Sequence, residues 1–246
     1  NRYKSKAEPS AIIYTDESLN DEAGGTGKGI LLQAVGQIRK VQNLDFKTRG
    51  SDKFLLQGVQ LSSSVIHIED VTRAFNFDIL FNIISGHMEI ENKGQPRFTI
   101  PFDRAPKIAI STNYLFRGQG SSHKRRKKEF EIANYYSDTH RPIDDFGKEF
   151  FGEEWTDDDW NAFYAFIVDC IQTFHRIGLK TWIGKNYKEK TLLAELGENL
   201  VQFFDDNIED WAEKEYVDND DFIDAYKRYN TSKINYSVSA LKKKLE

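Results

Sequence analysis

The chain has 246 residues, enough for one large domain or for a domain with a small appendage, and ample for a buried core. Its 34 Lys+Arg against 39 Asp+Glu give a net charge of −5, so any nucleic-acid contact must come from a local patch and not from the chain as a whole. Aromatic residues at 13% argue against disorder, and the single cysteine, Cys170, excludes an internal disulfide and a Cys-based zinc site. No apolar run approaches the ~20 residues of a membrane span, and no apolar signal segment follows Asn1-Arg2-Tyr3-Lys4. The sequence therefore reads as an intracellular, cytoplasmic protein without a membrane partner. Its polar start without Met reads as that of a fragment of something longer.

In chain order, Ala11-Ile12-Ile13-Tyr14 is the first of several short, largely β-branched runs bounded by polar or turn residues, as buried strands are. Next comes a glycine loop, Gly24-Gly25-Thr26-Gly27-Lys28-Gly29, which opens a helix over Ile30 to Lys40. Glycines let the backbone fold tightly enough to turn its N–H groups toward a phosphate, and the helix N-terminus adds a favourable dipole. Lys28 is placed to reach the outer phosphates of a nucleotide. Two positions depart from the usual pattern: Glu22 stands where the first glycine is expected, and Gly29 replaces the Ser or Thr whose hydroxyl ligates Mg²⁺. Water or an acidic residue must then serve the metal.

The second strand, Val65-Ile66-His67-Ile68, ends in Glu69-Asp70. Phosphoryl transfer to water needs Mg²⁺ held by a carboxylate and a group that orients the attacking water, and adjacent acids at a strand tip supply both. His67 reads as a packing or surface residue. A helical stretch over Phe77 to Ile84 follows, and then a β-hairpin between Met88 and Pro101, with alternating runs around Asn92-Lys93-Gly94-Gln95. The strand Lys107-Ile108-Ala109-Ile110 runs into Ser111-Thr112-Asn113, where an Asn can hydrogen-bond a γ-phosphate or an attacking water, or simply mark a turn. The loop Arg117 to Ser122 and the basic run Lys124-Arg125-Arg126-Lys127-Lys128 precede a strand at Glu129 to Ile132. Such a run is a solvated loop, a nucleic-acid patch, or the source of a phosphate-sensing arginine.

Past the acidic stretch Asp144 to Asp159 the pattern turns helical. Trp160, Phe163, Tyr164, Phe166, Ile167, Cys170, Ile171 and Phe174 recur at three- and four-residue steps, which predicts a core-packing helix ended by Gly178. Two further helices are expected around Leu192 to Phe204 and Phe222 to Tyr229, then an Asn230-Thr231-Ser232 turn and the basic end Leu241-Lys242-Lys243-Lys244. Strands alternating with helices predict an α/β fold with a largely parallel sheet over residues 1–180. Residues 181–246 then form a small helical or winged-helix C-terminal domain.

Taken in order, these segments resemble the superfamily 3 helicases, AAA+ P-loop ATPases of small DNA viruses, phages and plasmids. The order is phosphate loop, Glu-Asp strand, hairpin, Asn-ending strand, and Arg before the next strand, between about Ala11 and Gly178. The likeness is greatest to phage-type and mobile-element primase–helicases, in which a Gly-Gly-Thr-Gly-Lys loop is common and a primase domain often precedes this module. The resemblance implies ATP and Mg²⁺, with Gly24 to Gly29 cradling the phosphates and Lys28 as the phosphate lysine. Glu69 and Asp70 would share metal ligation and water activation, and Asn113 would be the sensor. It further implies Lys93 as a hairpin contact to single-stranded DNA and Arg126, with Arg125 as the fallback, as the finger supplied to a neighbour's ATP in a homo-hexameric ring. The expected activity is ATP-dependent translocation and unwinding during DNA replication. Two other readings stay open: a nucleotide-binding DNA loader with little hydrolysis, kept alive by Gly29, and another P-loop motor such as a packaging ATPase, in which Lys93 has no role.

Overall fold

The computed structural model describes residues 6–7, 9–18, 25–46, 54–72, 75–116, 120–180, 183–212 and 218–229. Gly24, Glu22, Arg117 to Gln119, the Asn230-Thr231-Ser232 turn and the basic end Leu241 to Lys244 lie outside the described residues. The chain divides into two compact units, residues 1–187 and 188–246.

The first unit is built on a five-stranded sheet. Its strands are β1 (Ala11–Asp16), β2 (Val41–Leu44), β3 (Val65–Ile68), β6 (Lys107–Ser111) and β7 (Lys127–Ile132). Their order is β2-β3-β6-β1-β7, and every pairing is parallel. The β-branched runs occupy the middle of the sheet because both faces are covered there. Ile13, Ile66, Ile68 and Ile110 are fully buried, and Leu80, Ile84 and Met88 pack against the same core. A separate antiparallel hairpin joins β4 (Met88–Ile90) to β5 (Phe98–Ile100), with Met88 opposite Ile100 and Ile90 opposite Phe98.

Helix α1 (Lys28–Ile38) follows β1, and a 3₁₀ turn (Phe77–Leu80) runs into the short α2 (Phe81–Ser85) after β3. The basic run does not form a loop. Ser121–Arg126 is a helix, α3, and Lys127 and Lys128 already belong to β7, so the strand starts two residues earlier than the sequence pattern suggests. The sequence pattern does not mark the edge strand β2: its Gln42 and Asn43 break the hydrophobic run that marks the central strands.

After the short helix α4 (Pro142–Phe146), helix α5 (Asp157–Ile177) is well delimited. Thr156 Oγ1 accepts from Asp159 N, Asp159 Oδ2 accepts from Thr156 N at 2.8 Å, and Gly178 ends the helix. Its expected core-packing role is not what the structure has. No residue of α5 is buried, and Phe166 is 63% and Ile171 49% exposed. The N-terminal half contributes Trp160 and Phe163 to a local ring cluster with Phe151 and Trp155. Helical spacing shows that an apolar face is one-sided; it does not supply a surface to cover it.

The second unit holds α6 (Tyr187–Leu196, from Lys188 on), α7 (Glu198–Ala212) and α8 (Asn219–Tyr229), with no strand among its described residues. The single helix expected over Leu192 to Phe204 is two, because Gly197 at φ +86° breaks it. Phe203 and Leu200 pack against Phe222, Ile223 and Tyr226 as its core.

Candidate functional site

In a parallel sheet, ligands bind beyond the carboxyl ends of the strands where the connections reverse direction. Here β1 leads across the sheet to β2 at one edge, while β6 leads over β1 to β7 at the other. The reversal falls between β1 and β6. A cleft of about 660 Å³ opens there, lined by Gly25, Thr26, Gly27, Lys28 and Gly29 from the loop, Glu69 and Asp70 after β3, and Ser111 and Asn113 at the end of β6. The described residues of the glycine loop, the acidic pair and the Asn, picked from three separate segments of sequence, thus line one cavity.

The loop geometry depends on its glycines. Gly25 and Gly27 have φ of +71° and +94°, conformations in which a side chain is strained, and Gly27 caps α1. A Cβ on Gly25 would also come within 3.2 Å of Ser137 and Asp138. Gly29 is an ordinary helical residue with open space where a Cβ would stand.

Lys28 is nearly buried. Its Nζ forms an ion pair with Asp16 Oδ2 and donates to Asn113 Oδ1 at 3.0 Å. Thr26 Oγ1 donates to the other oxygen of Asp16. Asp16, the last residue of β1, is fully buried and belongs to the site although no motif in the sequence marks it. It is an acid at a strand tip like Glu69, but the apolar run that marks the strand stops at Tyr14, two residues short of it. Asn113 is held in place by its neighbour Thr112, whose N–H donates to Tyr14 O and whose Oγ1 donates to Val71 O.

Glu69 and Asp70 are exposed at the cleft. Asp70 has φ +48°, the left-handed region that Asp tolerates better than most side chains, and this turns the chain away from the line of β3. His67 is buried, not on the surface. Its Nε2 lies 2.9 Å from Ser111 Oγ and its Nδ1 3.3 Å from Asn43 Oδ1, which links β2, β3 and β6 beneath the cleft. Burial holds its imidazole below the ordinary value of 6.5, against the pull of the Glu69 and Asp70 charges.

Two expected site residues lie elsewhere. Lys93 is exposed in the hairpin turn beside Gly94, which has φ +75°, and it lines a separate groove with Gln57, Gln60 and Phe98. The turn is anchored by Gly58 N donating to Asn92 Oδ1 at 3.0 Å. Arg126 precedes Lys127, which sits opposite Ala11 at the amino ends of β7 and β1. It is therefore about 20 Å, the length of a six-residue strand, from the carboxyl ends that carry the cleft. Its guanidinium stacks 4.5 Å from the Phe81 ring centroid, and its Nε donates to Ser85 Oγ at 2.8 Å. Arg125 is exposed.

Among the described residues, no helix is long and apolar enough to cross a membrane, and no group of three or more His, Cys, Asp or Glu is placed to hold a metal ion.

What these features define is a mixed α/β protein with a loop-and-carboxylate cleft at the switch point of a parallel sheet. A family model described as a family of unknown function, DUF5906, matches residues 19–126, the segment from the glycine loop through Arg126. Among solved structures, the chain is similar to one described as the A form apo structure of the NrS-1 C-terminal region. The identity is 17% and the TM-score 0.44, over 91% of this chain and 54% of that one, so this chain spans about half its length. No curated protein matches.

Proposed function

We propose that this chain is the ATPase module of a superfamily 3 (AAA+) DNA helicase of the phage or mobile-element primase–helicase type, acting as a ring on single-stranded DNA. The observation that carries the reading is the meeting of Lys28, Glu69, Asp70 and Asn113 around one cleft at the sheet's switch point. A triphosphate laid on the loop would face the N-terminus of α1 and the Lys28 ammonium, both of which favour negative charge. The exposed carboxylates of Glu69 and Asp70 are oxygen donors of the kind Mg²⁺ takes, together with water and phosphate oxygens, and so fit a metal brought in with the nucleotide. That metal, when bound, supplies charge neutralisation at the phosphate oxygens. Asn113 would orient the attacking water or the γ-phosphate, and whichever of Glu69 and Asp70 does not hold the metal would accept the water's proton.

Arg126 cannot act on the cleft of its own subunit from the opposite end of the sheet. As a finger it would serve a neighbour, which is why the reading includes a ring. Lys93, on a hairpin turn held by Asn92, would contact DNA phosphates without regard to sequence. Strand-displacement assays on a forked duplex test the proposal. ATP-dependent unwinding by the parent chain and its loss in Lys93→Ala are expected; unwinding retained in the variant removes the hairpin from the DNA path.

The second reading, a nucleotide-binding loader with little hydrolysis, draws on Gly29. That position offers no hydroxyl to a metal and has open space around it. Nucleotide binding without turnover, with or without DNA, would favour it.

A further inference from the structure

A buried carboxylate among the phosphate-binding donors is not something the proposed function requires. Asp16 is 0% exposed at the end of β1 and engages both functional side chains of the loop: Lys28 Nζ at one oxygen and Thr26 Oγ1 at the other. These are the groups a bound phosphate would otherwise use. A lysine paired with a buried carboxylate presents little net charge to an approaching polyanion, and the carboxylate itself repels phosphate oxygens at short range in a partly desolvated cleft.

We propose that Asp16 is a resident counter-ion of the phosphate loop, a residue that sets phosphate affinity by competing with the ligand for Lys28 and Thr26. The inference rests on the reading of Gly25 to Gly29 as a phosphate loop and adds to it what sets the strength of that site. When a phosphate arrives, Lys28 must swing at least part of its interaction from Asp16 to the ligand, with Asn113 Oδ1, 3.0 Å from Nζ, retained as a neutral partner during the exchange. The ligand class is polyphosphate; the base and sugar have no part in the exchange. Asp16 acts through Lys28 and is a positioning residue. Its consequence is a site that holds phosphate less tightly than its lysine and helix terminus alone would allow, and that re-forms its own ion pair as the product leaves.

Asp16→Asn tests this, because the amide keeps an oxygen for a donor while removing the charge. Equilibrium binding of metal-free tripolyphosphate is measured by calorimetry for the parent chain, Asp16→Asn, Lys28→Ala and the double variant. Tripolyphosphate carries the charge of the nucleotide tail without the base. Removal of the carboxylate is expected to tighten binding about tenfold or more, and the gain is expected to shrink in the Lys28→Ala background. A residue that merely props up the loop would give the opposite sign, so unchanged or weakened binding by a folded Asp16→Asn overturns the counter-ion. If tripolyphosphate binding is indifferent to Lys28→Ala, the phosphate-loop reading itself falls and the counter-ion falls with it. If binding depends on Lys28 but Asp16→Asn does not tighten it, only the counter-ion falls. Should Asp16→Asn not fold, judged by its thermal transition, Asp16→Ser, which removes the charge and leaves room for a water, carries the same expectation and the same refutation.

Discussion

Asn113 Oδ1 accepts a 3.0 Å hydrogen bond from Lys28 Nζ, although 85 positions separate the two residues in sequence. One lies two residues past the end of β6 and the other opens α1, so the bond spans the point where the sheet's connections reverse. The two side chains have different expected roles. Lys28→Ala removes a charged phosphate contact and should weaken ATP binding about tenfold or more. Asn113→Ala should bind ATP nearly as the parent does and lower turnover by about 10²-fold, the scale seen when a single positioned polar group is removed from a transition state. Fluorescent-nucleotide titration beside single-turnover hydrolysis separates the two. Equal loss of binding in both variants would make Asn113 a ligand-binding residue and nothing more.

Gly29 stands in α1 with nothing within 4 Å of where a Cβ would be, so a serine fits there without strain. Gly29→Ser adds the oxygen that this loop lacks. The Mg²⁺ concentration for half-maximal ATP hydrolysis should fall in the variant. An unchanged magnesium dependence would mean that the position does not face the metal.

His67 lies beneath the cleft with its imidazole held below 6.5 chiefly by burial. The folded state thus binds its proton less readily than the unfolded chain. Stability contributed by the neutral ring is complete above about pH 6.5 and is lost as pH falls below that value toward the folded state's lower one, by at most about 1.4 kcal/mol for each pH unit. Thermal transitions measured between pH 7.5 and 5 should decline for the parent chain, and His67→Gln should remove part of that decline. Parallel curves for the two proteins would show that His67 does not titrate across this range.

Val65-Ile66-His67-Ile68 was legible as a strand because a β-branched run bounded by polar residues suits a strand covered on both faces. Its carboxylates follow at once in sequence, and the hairpin around Asn92-Lys93-Gly94 was legible for the same local reason. Asp16 was not. Its importance lies in meeting Lys28 across a connection of 11 residues, a relationship set by where that connection brings the loop back onto the sheet. The path of α5 was hidden in a different way, since the stripe from Trp160 to Phe174 specifies a face without specifying a partner. β2 escaped because Gln42 and Asn43 sit on an edge strand, where one side needs no apolar cover.

Arg126 and Arg125 are neighbours with different environments. The Arg126 guanidinium is committed to the Phe81 ring and Ser85 Oγ, whereas Arg125 is exposed. Arg126→Ala should therefore lower stability by about 1–2 kcal/mol and Arg125→Ala should leave it within about 0.5 kcal/mol of the parent. If Arg126 is the finger, Arg126→Ala also binds ATP but barely hydrolyses it, and mixing it with Lys28→Ala subunits restores activity at interfaces that join an intact cleft to an intact arginine. Mixed rings that form and stay inactive exclude Arg126, and the same mixing with Arg125→Ala then tests the exposed neighbour.

ATP turnover, measured with and without single-stranded DNA for the parent chain and for Lys28→Ala, bears most directly on the proposal that the cleft hydrolyses ATP to drive movement on DNA. The expected result is turnover by the parent that rises when single-stranded DNA is added, and loss of both basal and stimulated turnover in the variant. Turnover that is absent from the parent under both conditions, indifferent to DNA, or equal in the two proteins would contradict it.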